Sequence, residues 1–204
     1  MGQKCIILID IWHNAIEEVN GYLPEYVNNF KNNLRIILNI AEIKDIDIIN
    51  ANYNNGREKE REIHNDFLDY NMIKKKNFQQ NKYDTAYICG LSLDGCMLKR
   101  DLGYKNLRIK NKSIILDASL NEIPTRGVYA DKFFNKMGQL WKEEVISNEC
   151  PKRWIVNGRC EWPGPYYYFK KQNQLDSYVS YVMEKENVNL KSVEIGRASC
   201  RERV

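Results

Sequence analysis

Histidine is scarce in this chain: His13 and His64 are the only two in 204 residues. The segment after Ala51 has no Asp-x-His pattern, and Cys150 and Cys160 lack the close pairing of a zinc site, so no metal centre is expected. No apolar run approaches the roughly 18 residues of a membrane span. No long apolar region with a small-residue cleavage site marks a signal peptide. Residues 90–95 lack the Gly-x-Gly-x-x-Gly spacing of a nucleotide-binding turn. Neither an internal repeat nor a linker is visible. These absences predict a cytoplasmic protein, away from any membrane and with no cofactor.

Charge excludes little by itself. The net charge is +4, and the densest cationic runs are residues 74–76 and 105–112. Lys alternates with Asp and Glu elsewhere, as on a solvated face, so no nucleic-acid partner is expected. Most of the chain is rich in Asn, Ile, Lys and Tyr, but residues 194–204 change abruptly to Arg, Ala, Ser and Cys. That tail looks like the translation of a sequencing adapter. Without its three Arg and two Glu the net charge falls from +4 to +3. Residues 1–193 are therefore expected to form a single domain with its natural C-terminus missing. Cys5, Cys89, Cys96, Cys150 and Cys160 then remain, an odd and isolated set that argues against a disulfide framework and for a reducing compartment.

What is present reads as alternating strands and helices. Residues 5–11 are apolar without alternation, as in a strand covered on both faces, and Asp10 stands at its end. Pro24 suits a first helical turn, after which Val27, Phe30, Leu34, Ile37, Leu38 and Ala41 recur at helical spacing. Residues 46–51 read as a second strand, completing a right-handed βαβ unit with parallel strands. Residues 54–82 open on the turn signal Asn54-Asn55-Gly56 and hold one or two short helices, with His64 exposed on one of them. Residues 83–89 are a third strand, 96–102 a helix closed by Gly103, and 113–116 a strand ending on Asp117-Ala118. Tyr129, Phe133, Met137, Leu140, Trp141 and Val145 mark a helix, 154–156 a further strand, and 162–169 a rigid aromatic loop. Leu175, Tyr178, Val179, Val182 and Met183 mark a last helix. The sum is an α/β fold, a three-layer doubly wound sheet, mainly parallel and Rossmann-like.

Ligands of such sheets bind beyond the carboxyl ends of the strands, near the point where strand order reverses. Asp10 and Cys96 both fall in that zone. A thiol becomes nucleophilic as the thiolate, which a helix N-terminus and a nearby base favour. Backbone N–H groups of the turn 90–96 could converge on an attacked carbonyl oxygen. Nucleophile, base and oxyanion donors thus come from two segments. The plainer alternative makes Cys96 a small buried hydrophobe and Asp10 a strand-end cap.

The strand Cys5-Ile6-Ile7-Leu8-Ile9-Asp10 resembles the first strand of the isochorismatase-like cysteine hydrolases. Asp84-Thr85-Ala86-Tyr87-Ile88-Cys89-Gly90-Leu91-Ser92-Leu93-Asp94-Gly95-Cys96 is similar to that family's signature. Gly103-Tyr104 and Ile114-Ile115-Leu116-Asp117-Ala118 follow at its usual distances, so the resemblance spans residues 4–120. It implies Cys96 as nucleophile, Asp10 as general base, and an oxyanion hole around Gly95 and Cys96 after a strained peptide at Ser92-Leu93. The implied reaction is hydrolysis of an amide-like C–N bond in a small-molecule substrate through a covalent thioester, and the implied assembly is a homo-oligomer. Leu93 replaces the family's threonine. The family's lysine is expected at Lys59, holding charge near Asp10 and Cys96 with a helix following it; Lys74 fits only if that helix is deleted. Without such a lysine the chain is expected to be an inactive relative that binds a metabolite or partner protein. Trp12 and His13, beside Asp10, are the candidate substrate contacts.

Overall fold

A computed structural model describes residues 2–53, 62–121, 128–137, 146–147, 155–160, 166–169 and 171–193. In chain order it places β1 (Gln3–Ile9), α1 (His13–Asn20), α2 (Pro24–Ile43), β2 (Asp47–Asn50), β3 (Met72–Lys74), β4 (Tyr83–Leu91), α3 (Cys96–Lys99), β5 (Asn111–Leu120) and α4 (Val128–Met137). The two-residue strands β6 (Ile146–Ser147), β7 (Ile155–Val156), β8 (Arg159–Cys160) and β9 (Tyr166–Tyr167) follow, then α5 (Gln172–Lys185) and β10 (Leu190–Lys191).

The central sheet has six strands in the order β10-β5-β4-β1-β2-β3, and every pairing in it is parallel. Residues 5–9 of β1 are all buried, which explains their lack of alternation: both faces of the central strand are covered. Along α2, Val27, Phe30, Leu34, Leu38 and Ala41 bury one stripe. Each fully buried Leu or Phe of that stripe is worth roughly 1.5–3 kcal/mol over an exposed one. Pro24 sits at the start of α2, as its sequence position suggested. This is the expected α/β fold, a doubly wound Rossmann-like sheet flanked by helices. Strand order reverses at β1: β2 and β3 extend to one side, and β4, β5 and β10 to the other. The crevice therefore opens where the carboxyl ends of β1 and β4 part.

Several local expectations change. Residues 72–74 form an edge strand paired with β2, not a helix; three residues carry no period of their own, and the pairing decides their state. The turn at residues 54–56 lies outside the described residues. The helix α1, not foreseen, buries Ala15, Ile16 and Val19. Only residues 96–99 of the expected helix 96–102 are helical, because the chain leaves it at Arg100 in an extended conformation. The strand expected at 113–116 runs on to Leu120 through a bulge, since Ile88 pairs with Ile114 but Gly90 pairs with Ser119. Residues 138–145, 154 and 162–165 of the expected later elements lie outside the described residues, as does the tail 194–204. Cys160 is disulfide-bonded, contrary to the expectation of isolated cysteines throughout. Among the described residues no helix is long and apolar enough to cross a membrane.

Candidate active site

Asp10 leaves β1 with φ of 50°, a left-handed conformation that aspartate tolerates better than most residues. Its side chain is fully buried. A buried carboxylate is costly unless paired and hydrogen-bonded, and here both oxygens are engaged. Oδ1 accepts from the Tyr53 backbone N–H at 2.7 Å, and Oδ2 accepts from Arg100 Nε at 2.9 Å. The segment after β2 is drawn over the end of β1 to make this possible: Ala51 N–H donates to the Leu8 carbonyl at 2.9 Å, and Ile11 N–H donates to Asn52 Oδ1 at 3.0 Å.

Cys96 opens α3 and is half-buried. The turn before it is braced on several sides. The Ser92 carbonyl accepts from the N–H groups of Gly95 at 3.0 Å and Met97 at 3.1 Å. Asp94 N–H donates to Asn121 Oδ1 at 3.2 Å. The Asp94 carboxylate accepts from Ser92 Oγ at 2.9 Å and from the Tyr178 hydroxyl of α5 at 2.5 Å. Burial, then the Asp94 charge, pushes up the pKa of the Tyr178 hydroxyl, so it remains a donor. An oxyanion role for the Gly95 amide would require it to exchange its Ser92 partner. Leu93 is buried away from solvent and lines a cleft of about 430 Å³ between α2 and α5 with Tyr26, Asn33, Asp117 and Asp176.

Arg100 joins the two halves of the site. Four residues after Cys96, it lies on the same side of that turn. Its guanidinium donates to Asp10 and lies 4.2 Å from the Tyr53 ring centroid. Burial disfavours its charge, but the Cys96 sulfur and the Asp10 carboxylate outweigh that, raising its pKa above the ordinary value. Below α3 the chain folds back tightly. Asn106 Nδ2 donates to the carbonyls of Lys99 and Arg100 at 2.8 and 3.0 Å, and a Cβ at Gly103 would come within 2.9 Å of Arg100 backbone atoms. These contacts hold the backbone from which the guanidinium reaches out. Beside it, Lys75 pairs with Asp101 at 2.6 Å.

The other cysteines differ in kind. Burial, then Asp47, pushes the Cys5 thiol up to about 12, and burial, then Asp117, pushes up Cys89. Both stay protonated structural residues.

Of the residues singled out from sequence, Asp10 and Cys96 are brought together through Arg100, with Ser92 and Gly95 in the turn between β4 and α3. Trp12 caps α1 by position, bridges to Ile63 and packs partly against the core. The His13 ring packs against that of His64 in a tilted arrangement, with centroids 4.9 Å apart. Lys59 lies outside the described residues, and Lys74 is an exposed residue of β3. His64, expected to be exposed, is buried: Nδ1 accepts from Asp66 N–H at 3.2 Å, which leaves the proton on Nε2 for Glu17 at 2.9 Å. Among the described residues no group of three or more His, Cys, Asp or Glu could hold a metal ion. Arg100 and Tyr53 were missed. The spacing of Arg100 from Cys96 was a usable signal for the first, whereas Tyr53 holds Asp10 through its backbone amide and meets Arg100 only in the folded chain, so it carries none.

No protein-family model matches the chain, and no curated protein matches it. Among solved structures, a Leishmania major protein described as a Mar1 ribonuclease is similar at 14% identity and a TM-score of 0.42, over 68% of this chain and 75% of that one.

Proposed function

We propose that the protein is a cysteine-dependent hydrolase of amide-like C–N bonds in a small molecule, with Cys96 as nucleophile and Asp10 as general base. The observation that carries this is the meeting of Asp10, from the end of β1, with the Cys96 turn after β4, bridged by Arg100 at the reversal of strand order. The resemblance of the two segments to isochorismatase-like hydrolases supports the same roles.

In the reaction, Asp10 takes the Sγ proton and the sulfur electron pair forms a C–S bond to the carbonyl carbon, whose π pair moves onto oxygen. As that pair returns, the C–N bond breaks and the departing nitrogen takes the proton from Asp10. The acyl group is left on Cys96 as a thioester. Asp10 then takes a proton from water as its oxygen attacks. The C–S bond breaks, and the thiolate recovers a proton from Asp10. Trp12 and His13 remain the candidate substrate contacts on the β1 side.

A second reading has an observation in its favour. Both Asp10 oxygens already accept hydrogen bonds, as in a locked ion pair of a non-catalytic relative that binds a metabolite or partner protein. Alkylation by iodoacetamide at pH 7, followed by peptide mass mapping, separates the two. The hydrolase requires Cys96 to react at least about tenfold faster than N-acetylcysteine, equivalent to about one unit of thiol pKa. A rate equal to that of the free thiol would eliminate Cys96 as nucleophile.

A further inference from the structure

We infer that Arg100 is the permanent cation of this site, the shared counter-ion of the Asp10 carboxylate and the Cys96 thiolate, and that Asp10 alone carries the proton. This rests on Cys96 and Asp10 acting as proposed above, and it goes beyond that assignment by supplying the charge that family resemblance sought on a lysine.

Two contacts put Arg100 in this position, and the charge of Cys96 acts on it as well. Its Nε–H is bonded to the one fully buried carboxylate at the end of β1, 2.9 Å away. Its guanidinium carbon lies over the Tyr53 ring, 4.2 Å from the centroid, while the Tyr53 amide holds the other oxygen of the same carboxylate. It also interacts with the Cys96 side chain, one helical turn before it.

A guanidinium suits this double duty because its planar fork offers several N–H groups along different edges. One edge is used on Asp10, which leaves others for sulfur. The charge balance then holds through the chemistry. Before proton transfer the site contains a carboxylate, a neutral thiol and the guanidinium. Afterwards it contains a neutral carboxyl group, a thiolate and the same guanidinium. The net charge is unchanged, and only the anion paired with Arg100 moves. An ammonium could release a proton in such a site, whereas a guanidinium does not in proteins. The departing nitrogen must therefore be protonated by Asp10.

The experiment measures the iodoacetamide rate of Cys96 at pH 7 in the full chain for wild type, Arg100→Lys, Arg100→Gln, Asp10→Asn and the Asp10→Asn/Arg100→Gln pair. Mass mapping of the buried Cys5 and Cys89 in each sample reports whether the variant is folded. The expected result is a fall of at least about tenfold in Arg100→Gln, matching the loss of an opposite charge worth about one or more pKa units. Arg100→Lys should fall between wild type and Arg100→Gln, because it keeps the charge but loses the fork that reaches both anions. The double variant removes both ions together and so leaves no unpaired buried charge. It should react at least about tenfold more slowly than Asp10→Asn, in which Arg100 remains. If wild-type Cys96 is fast and the neutral variants are equally fast, the role of Arg100 is overturned while Cys96 stands as nucleophile. If wild-type Cys96 is itself no faster than a free thiol, the hydrolase assignment falls, and this role with it.

Discussion

Gly90→Ala tests whether the spacing of β1 and β4 sets the site. Gly90 has φ of +122°, and a Cβ there would lie 2.1 Å from the Ile9 carbonyl oxygen and 2.9 Å from the Ile9 nitrogen. A side-chain neighbour could rotate away, but these are backbone atoms of the central strand, one residue before Asp10. Relief requires β1 and β4 to separate by something like an ångström, at the expense of their ladder. Holding a non-glycine residue at such a φ costs about 1–3 kcal/mol, and overpacking at a site that cannot yield adds about 1–3 kcal/mol. The expected destabilisation is about 2–6 kcal/mol, a large part of the roughly 5–15 kcal/mol that holds a domain together. Urea unfolding followed by tryptophan fluorescence measures it. Gly158→Ala is the control, because Gly158 also has positive φ, at +74°, but its Cβ would meet nothing within 4 Å among the described residues. That variant should lose only about 1–2 kcal/mol. Equal losses in the two variants would refute the close-approach argument.

Tyr178→Phe should destabilise the protein by about 1.5–3 kcal/mol, the worth of a hydrogen bond to a charged group, as read by thermal unfolding; no loss would mean that the bond to Asp94 does not brace the Cys96 turn. Asp10→Asn should abolish hydrolysis yet leave Cys96 open to alkylation, since Arg100 stays; ammonia release and mass mapping read the two separately, and retained turnover would remove Asp10 from the mechanism. Glu17 gives a pH prediction. The His64 hydrogen bond and then Lys31 hold its carboxyl at about 2, below the ordinary 4.5. Its depressed value means that its contribution is full above pH 4.5 and is lost as pH falls toward 2. The side chain is 38% exposed, so solvent screens the pair and the effect is modest. The melting-temperature advantage of wild type over Glu17→Gln should therefore shrink between pH 6 and pH 2.5, and a constant difference would contradict the assignment.

Asp10 and Cys96 were legible in the sequence because each follows an apolar run whose end is visible as a break in hydrophobicity. The long helix α2 was legible through its recurring buried stripe. Both signals are local: a buried strand or an amphipathic helix writes its environment into consecutive residues. Edge strand β3 and the two-residue β10 could not be read this way. Their state depends on backbone hydrogen bonds to β2 and β5, which any short run of residues could accept.

The same division runs through the site. Local sequence by itself determined that a carboxylate and a thiol stand at strand ends in a doubly wound α/β chain, since hydrophobic period and turn residues encode those positions directly. It did not determine the cation. Sequence similarity pointed toward a lysine on the segment after β2, whereas the guanidinium at the site comes from the end of α3, in a position set by the fold-back at Gly103 and Asn106. Tertiary structure also decided that Tyr53 serves Asp10 through its amide and Arg100 through its ring, and that His64 is buried beside Glu17. The physical reason is that electrostatic pairing depends on distance in space, and residues 10, 53, 96 and 100 become neighbours only when parallel strands bring their carboxyl ends to one edge of the sheet.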